Sequence, residues 1–148
     1  MNKPNPIPAG YHTITPALAV KNAADLIGFM EEVLDAKRSE YMTRPDGSIM
    51  HAEVRIGDST VMIGEACDEM GPMPGSLFLY LEDSDESFRR AVEAGATVVM
   101  EPTDMFWGDR YSCVKDRWGN QWSFATHIED VSKEEIDRRA KAFMEKSA

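Results

Sequence analysis

The chain shows two kinds of hydrophobic periodicity. Apolar residues recur every three or four positions between Leu26 and Leu34, with charged residues on the other face, which predicts a helix ending at Asp35. Asn22 precedes this run and is expected to cap the helix. Apolar and polar residues instead alternate from 48 to 56, which predicts a strand. One face of this strand is expected to hold Met50, Ala52, Val54 and Ile56, and the other His51, Glu53 and Arg55.

Shorter runs of β-favouring residues predict further strands. They cover residues 13–20, 37–43, 59–65, 76–81 and 97–101. Pro16 indicates an edge strand, and Pro102 is expected to begin a loop that extends to Gly108. A second helix is predicted from Asp83 or Ser84 to about Ala94. A charged C-terminal helix is predicted over about 132–146.

The stretch from Phe106 to His127 holds all three tryptophans and predicts a hairpin. The turn residues 116–120 separate two strand-like runs, and its Gly and Asn tolerate positive φ. Trp122 and Phe124 alternate along the second run, so we expect them to fasten a sheet to a helix.

The two halves of the chain repeat one order of elements. Leu18 and its four successors align with Leu79 and its successors at an offset of 61, and Gly57-Asp58 aligns with Gly119-Asn120 at an offset of 62. A near-constant offset indicates two copies of a βαβββ unit. The predicted fold class is therefore α+β, a single domain with modules at about 11–66 and 75–128 and a C-terminal helix.

Composition narrows the possible partners and compartments. Lys and Arg number 16 against 26 Asp and Glu, and the net charge of −10 argues against binding to nucleic acid or anionic lipid. The Pro-rich start lacks the apolar core of a signal peptide, and no apolar run is long enough to span a membrane. Cys67 and Cys113 lack metal-type spacing and are expected to be reduced thiols. These features predict a cytoplasmic protein.

Several short segments resemble a known family. They are residues 10–13 (Gly-Tyr-His-Thr), 50–53 (Met-His-Ala-Glu), 106–111 (Phe-Trp-Gly-Asp-Arg-Tyr) and 125–132. With the paired modules and the turn at 116–120, they are similar to the vicinal oxygen chelate superfamily, which includes glyoxalase I, bleomycin resistance proteins and extradiol dioxygenases. The closer resemblance is to its PhnB-like branch. It implies two curled sheets that form an incomplete barrel, with a divalent metal bound on the concave side.

The resemblance also implies where that metal would bind. The superfamily uses a His at the start of the first strand and a Glu in the last strand of each module, and the corresponding residues here are Thr15, Val61, Ser76 and Ser123. None supplies the imidazole, carboxylate or thiolate that Zn, Fe or Ni prefers. The usual metal chemistry therefore does not follow from the fold, and a divalent metal at a displaced site remains an open alternative.

Three ionisable side chains are candidates for such a displaced site. His51, beside Glu53 and Arg55, can act as an acid or base or bind an anion, or it lies on a solvated strand face. Glu65 and His127 occupy matching places in the two modules at the offset of 62, and they either hold a ligand or metal or only end their strands.

Aromatic residues of the second module predict a wall for a ligand. Trp107 and Tyr111 lie in or beside a loop, and Phe78 and Tyr80 share the face of Ser76. Arg110 either meets an acidic ligand or forms a salt bridge. The predicted ligand-binding residues are Phe78, Tyr80, Trp107, Arg110, Tyr111 and Ser123.

The leading hypothesis is a homodimeric protein that binds a small organic molecule in the concave cavity. One alternative is a metal-dependent lyase, isomerase or dioxygenase that uses His51, Glu65 and His127. The other is a drug-sequestering resistance protein, which the acidic surface favours if the drug is cationic.

Overall fold

The first module, which extends to Gly75, is a four-stranded sheet with one helix packed on it in a computed structural model that describes residues 3–69 and 71–147. Its elements are β1 (Ala17–Val20), α1 (Ala23–Leu34), β2 (Lys37–Thr43), β3 (Ile49–Ile56) and β4 (Ser59–Glu65). The strand order is β1-β4-β3-β2, in which β1 and β4 are parallel and the other pairs antiparallel.

The second module, from Ser76 onward, repeats this topology. Its elements are β5 (Ser76–Tyr80), α2 (Ser84–Glu93), β6 (Thr97–Asp104), β7 (Asp109–Lys115), β8 (Gln121–His127) and the C-terminal helix α3 (Lys133–Ser147). The order β5-β8-β7-β6, with β5 and β8 parallel, matches that of the first sheet. The predicted α+β class, two βαβββ units with a C-terminal helix, is therefore confirmed.

Each module buries an apolar layer between its sheet and its helix. In the first module, Leu26, Ile27 and Met30 of α1 are fully buried with Val54 and Ile63 of the sheet. Burial of one such side chain stabilises the fold by about 1.5–3 kcal/mol. In the second module the fully buried side chains include Trp122 and Phe124 of β8, a strand that contacts α2, as the sequence predicted.

One buried carboxylate holds the turn between β7 and β8. Asp116 accepts hydrogen bonds from the backbone amides of Trp118 and Asn120 and from the Asn120 side chain, each at 2.9 Å. Its second oxygen also accepts from Trp122 Nε1 at 2.8 Å. Gly119 has φ +93°, in the left-handed region that glycine adopts without strain. The hairpin prediction is confirmed, and Asp116 joins the turn to the core.

The last strand of each module caps the helix of the same module. The Glu65 carboxylate accepts from the backbone amides of Asn22 at 2.7 Å and Ala23 at 3.2 Å. Thr126 Oγ1 likewise accepts from the Ser84 amide at 2.9 Å. The prediction that Asn22 caps α1 needs correction, because its side chain makes no capping hydrogen bond. Asn22 instead adopts a left-handed conformation, with φ 61°.

Three strand predictions also need correction. The strand predicted over 13–20 begins only at Ala17. The strand β6 continues through Pro102 to Asp104, because β6 lies at the sheet edge and a register shift between Met100 and Thr103 accommodates the missing amide. In β3, a register shift beside Thr43 buries Ile49 and leaves Met50 48% exposed, although alternation predicted Met50 on the apolar face.

Within residues 3–69 and 71–147, no helix combines the length and the apolar composition needed to cross a membrane.

Candidate functional site

The strand register of the second sheet brings aromatic residues together on the face away from α2, which we call the open face. Phe78 pairs with Ser123, and Ala125 pairs with both Tyr80 and Tyr111. Because strand residues alternate between faces, these side chains lie opposite the buried Trp122 and Phe124. The sequence prediction that Phe78 and Tyr80 share one face is consistent with this register.

Four rings form a continuous surface, the aromatic wall, defined as Phe78, Tyr80, Trp107 and Tyr111. Phe78 stacks on Tyr111 with 5.7 Å between ring centroids and lies 5.2 Å from Tyr80. Trp107 meets Tyr111 edge-on at 6.2 Å. Phe78 is 50% and Tyr80 65% exposed, so both rings present faces or edges for further stacking.

A buried carboxylate, Asp109, orients one end of the aromatic wall. Asp109 Oδ2 accepts from Trp107 Nε1 at 2.8 Å and from the Tyr80 hydroxyl at 3.1 Å, and Oδ1 lies 2.9 Å from His127 Nδ1. Burial opposes ionisation of Asp109, but the hydrogen bonds from His127, Trp107 and Tyr80 outweigh it and lower its pKa. The hydrogen bond to this carboxylate raises the pKa of Tyr80. Asp109 therefore fixes two wall residues and carries negative charge.

His127 lies between two carboxylates at the end of β8. Its Nδ1 faces the buried Asp109, and its Nε2 lies 2.7 Å from Oδ1 of the fully exposed Asp130. The hydrogen bond to Asp109 and, as a smaller contribution, the hydrogen bond to Asp130 raise the pKa of His127. The imidazole is half-exposed, so a proton on Nε2 is accessible to a ligand that displaces Asp130.

The start of β7 is fixed against the end of β8 by a close backbone approach. Gly108 has φ +103°, and a Cβ at this position would lie 2.2 Å from the Glu129 carbonyl oxygen. The Gly108 carbonyl accepts from the amides of Ile128 and Glu129. Only glycine fits here, and this contact sets Asp109 directly opposite His127.

Ser123 lies at the base of the aromatic wall. Its hydroxyl is 3.0 Å from the Tyr111 hydroxyl and 3.7 Å from Cys113 Sγ. Burial raises the pKa of Tyr111, so its phenol stays protonated near neutral pH. The pair thus offers hydroxyl groups beneath the rings.

Arg110 is placed apart from these residues. Strand alternation turns it to the other face of β7, where it bonds Asp85 of α2 and Asp104 of β6, each at 3.2 Å. These two carboxylates raise its pKa. The salt-bridge alternative stated for Arg110 accounts for its position.

The first sheet has a separate cavity of about 580 Å³ on its face away from α1. The imidazole Nε2 of His51 lies 3.7 Å from Glu53 Oε1 within it. Thr15 and Met62 also line it. The cavity is completed by Pro6, Ile7, Pro8, Tyr11, His12, Thr13 and Glu40.

Strand register changes two of the matches drawn from the sequence. Leu18 of β1 pairs with Ile63 of β4, and Leu79 of β5 pairs with Phe124 of β8. Each residue of the first pair is therefore related to its counterpart in the second pair by the same offset of 61. Ser123 therefore corresponds to Met62, whereas Val61 is buried.

By the same offset, Glu65 corresponds to Thr126 rather than to His127. Glu65 and Thr126 each accept backbone amides at the start of a helix. Each of the two Glu65 carboxylate oxygens already accepts one of these hydrogen bonds.

The usual metal of the resembled family does not fit the residues present. The matching positions are Thr15, Met62, Ser76 and Ser123, whose hydroxyl and thioether groups are poor ligands for Zn, Fe or Ni. The Ser123 hydroxyl is already engaged by Tyr111. In the part of the chain that the structure describes, no group of three or more His, Cys, Asp or Glu side chains is arranged to hold a metal ion.

Asp109, Asp116 and Asp130 were not predicted as site or framework residues. Acidic residues at strand ends are usually solvated, so the burial of Asp109 and Asp116 is not evident from composition. The available signal was spacing, because Asp109 follows Trp107 by two positions and Asp130 follows His127 by three.

Comparisons with known proteins agree with this architecture. Residues 11–124 match the family described as the Glyoxalase/Bleomycin resistance protein/Dioxygenase superfamily. The uncharacterized protein Mb0911c of Mycobacterium bovis is 36% identical over 134 aligned positions, which cover 83% of this chain and 88% of that protein. TioX from Micromonospora sp. ML1 is similar in structure, with a TM-score of 0.67 and 25% identity over 79% of this chain and 99% of TioX. The PhnB protein from Bacillus cereus shares the fold, with a TM-score of 0.58 and 13% identity over 78% and 99% of the two chains.

Proposed function

Because the chain belongs to the Glyoxalase/Bleomycin resistance protein/Dioxygenase superfamily, we propose that it binds a small planar organic molecule on the aromatic wall. The observation that carries the proposal is the aromatic wall, in which the Phe78 and Tyr80 side chains of β5 are exposed by half or more. Exposed, preoriented rings stack a planar ligand at little entropic cost.

Hydrogen-bonding groups around the wall would orient the ligand. The Asp109 and His127 pair lies at one end, and the Tyr111 and Ser123 hydroxyls lie at the base. Apolar walls with a few convergent polar groups are typical of small-molecule sites. This arrangement supports binding or sequestration as the main activity, with a PhnB-like branch assignment supported by the segments at 106–111 and 125–132.

The test is a fluorescence titration with acridine, proflavine and bleomycin, each of which carries a planar aromatic group, that reads the total tryptophan emission, to which Trp107 contributes. We expect Phe78→Leu to weaken binding about 2- to 10-fold, because one stacked ring is worth about 0.5–1.5 kcal/mol. Tyr41→Leu is a matched control, since Tyr41 is 44% exposed and lies on β2 of the first module. Equal affinities for the two variants, or no binding to the unsubstituted protein, would refute the proposal.

A second candidate function is proton transfer by His127 to a ligand on the wall. It is favoured by the 2.9 Å contact between His127 Nδ1 and Asp109, which fixes the imidazole and leaves Nε2 against a displaceable carboxylate. Turnover of methylglyoxal-glutathione adducts or catechols, tested with and without Ni, Zn, Mn or Fe, is expected to fall in His127→Ala. Equal rates for the unsubstituted protein and for His127→Ala would exclude this role.

The proposal also includes a homodimer located in the cytoplasm, without nucleic-acid or membrane partners. The net charge of −10 supports the absence of nucleic-acid and membrane partners, and the two free cysteines support the compartment. Sedimentation equilibrium tests the dimer, and a monomer at micromolar concentration contradicts it.

A further inference from the structure

We propose that the C-terminal helix α3 controls the affinity of the aromatic wall for its ligand by holding Phe106 against Trp107. The inference rests on the proposed function of the wall as the ligand site. We call the contacts that Phe143 and Arg139 of α3 make with Phe106 the α3 contact. The helix follows the region that matches the family, so this role is not implied by that match.

A series of ring contacts joins α3 to the wall. The Phe143 and Phe106 rings lie 5.4 Å apart between centroids, and the Phe106 ring meets Trp107 edge-on at 5.0 Å. Trp107 in turn meets Tyr111 of the wall. Aromatic rings attract one another at centroid separations of about 4.5–7 Å. The position of Phe143 on α3 is therefore coupled to the Trp107 ring through one intervening side chain.

Arg139 holds the backbone beside the same rings. Its Nη1 donates to the Phe106 carbonyl at 3.3 Å and to Glu129 Oε2 at 3.0 Å, and its Nη2 donates to Glu129 Oε1 at 2.9 Å. A two-point contact between Arg and a carboxylate fixes orientation as well as distance. The Glu129 amide itself donates to the Gly108 carbonyl, so Arg139 connects both sides of the close backbone approach. The helix thus contacts both the side chain and the backbone of Phe106.

The α3 contact is weak enough to open. None of the 15 residues of α3, all of which the structure describes, is buried. The Arg139 and Glu129 side chains are 30% and 50% exposed, and an exposed ion pair stabilises a fold little. Segments with few buried apolar contacts open locally at a small cost in free energy. The helix can therefore detach while the sheet of its module stays folded.

Opening of the α3 contact is expected to weaken ligand binding. Trp107 Nε1 would remain bonded to Asp109, but the indole ring would lose the Phe106 ring packed against it. A ligand must then immobilise the Trp107 side chain, which costs roughly a factor of 2 to 10 in affinity. Such coupling is reciprocal, so a ligand on the wall is expected to stabilise the docked helix by the same factor.

The experiment compares Phe143→Ala with Met144→Ala, a matched control at the next position of α3, where the side chain is 64% exposed. In the ligand-free protein, Phe143→Ala is expected to shift the NMR signal of the Trp107 indole N–H, and Met144→Ala to leave it unchanged. Fluorescence titration then uses the ligand that binds best among acridine, proflavine and bleomycin. Its binding is expected to be about 2- to 10-fold weaker in Phe143→Ala alone. Phe143→Tyr keeps a ring and is expected to restore both readouts.

Hydrogen exchange separates control of the wall from a purely structural role of α3. Saturation with the same ligand is expected to slow amide exchange at residues 136–143 about 2- to 10-fold in the unsubstituted protein, but not in Phe143→Ala. Unchanged exchange in the unsubstituted protein, or equal affinities of Phe143→Ala and Met144→Ala, would overturn this proposal and leave the wall as the ligand site. No binding of any of the three ligands to the unsubstituted protein would overturn both proposals.

Discussion

Replacing Asp109 by alanine tests how the buried carboxylate organises the candidate site. Asp109 is 1% exposed and accepts hydrogen bonds from Trp107, Tyr80 and His127. Tyr80 is 65% exposed and His127 is half-exposed, so both side chains can hydrogen-bond to water in the variant. They therefore contribute little to the loss of stability. The partly buried Trp107 indole loses a charged acceptor, which is worth about 1.5–3 kcal/mol.

With the small cavity left by the side chain, the free energy of unfolding is expected to fall by about 2–4 kcal/mol. For a chain of this length, that corresponds to a decrease of about 5–15 °C in Tm. Urea unfolding and calorimetry at pH 7 measure both quantities. Asp109→Asn is expected to lie between the two proteins, because its amide oxygen still accepts from Trp107 Nε1.

Asp130→Ala provides the matched control, because Asp130 bonds the same imidazole but is fully exposed. Its urea midpoint is expected to stay within error of the unsubstituted protein. The total tryptophan emission, to which Trp107 contributes, is expected to shift to longer wavelength in Asp109→Ala alone. Equal destabilisation by the two alanine variants, or no change in either, would refute the reasoning that Asp109 is the organising group.

Three further predictions concern the framework. Glu65→Ala removes the acceptor for the first amides of α1 and is expected to cost about 1–2 kcal/mol in urea unfolding, whereas a catalytic role alone predicts unchanged stability. Asp116→Ala breaks the buried turn network and is expected to cost about 3–5 kcal/mol in urea unfolding. Asp58→Ala, in the exposed turn between β3 and β4, is expected to have a negligible effect, and similar effects of the two variants would contradict the prediction. The folded-state pKa of His127 is raised, so its stabilisation is full below about pH 6.5 and is lost as pH rises through the raised pKa. The stability difference from His127→Gln should shrink as pH rises, and a growing difference would show the sign to be wrong.

The sequence predicts most of the fold because the dominant signals are local. Two strands, 37–43 and 59–65, match their predicted bounds, and the repeat fixes the shared topology. Local signals fail where a distant residue decides the outcome. Asn22 does not cap α1 with its side chain because it adopts a left-handed conformation, in which Glu65, 43 positions away, accepts from its backbone amide. Pro102 does not end β6 because that strand lies at a sheet edge, which no local pattern reveals.

The candidate site is only partly predictable for the same reason. Alternation correctly groups Phe78, Tyr80 and Ser123, since a strand has a period of two. Asp109 becomes important only when β5, β7 and the Trp107 loop meet at one carboxylate. The match of Glu65 to His127 failed by one residue, because the turn between β7 and β8 is longer than the turn between β3 and β4.

The most direct test of the central claim is an NMR titration of the isotope-labelled protein with the ligand that binds best among acridine, proflavine and bleomycin. Binding at the aromatic wall predicts shifts concentrated on the ring signals of Phe78, Tyr80 and Tyr111 and on the Trp107 indole N–H. Saturable binding with these signals unchanged, or no binding by any of the three, would contradict the account.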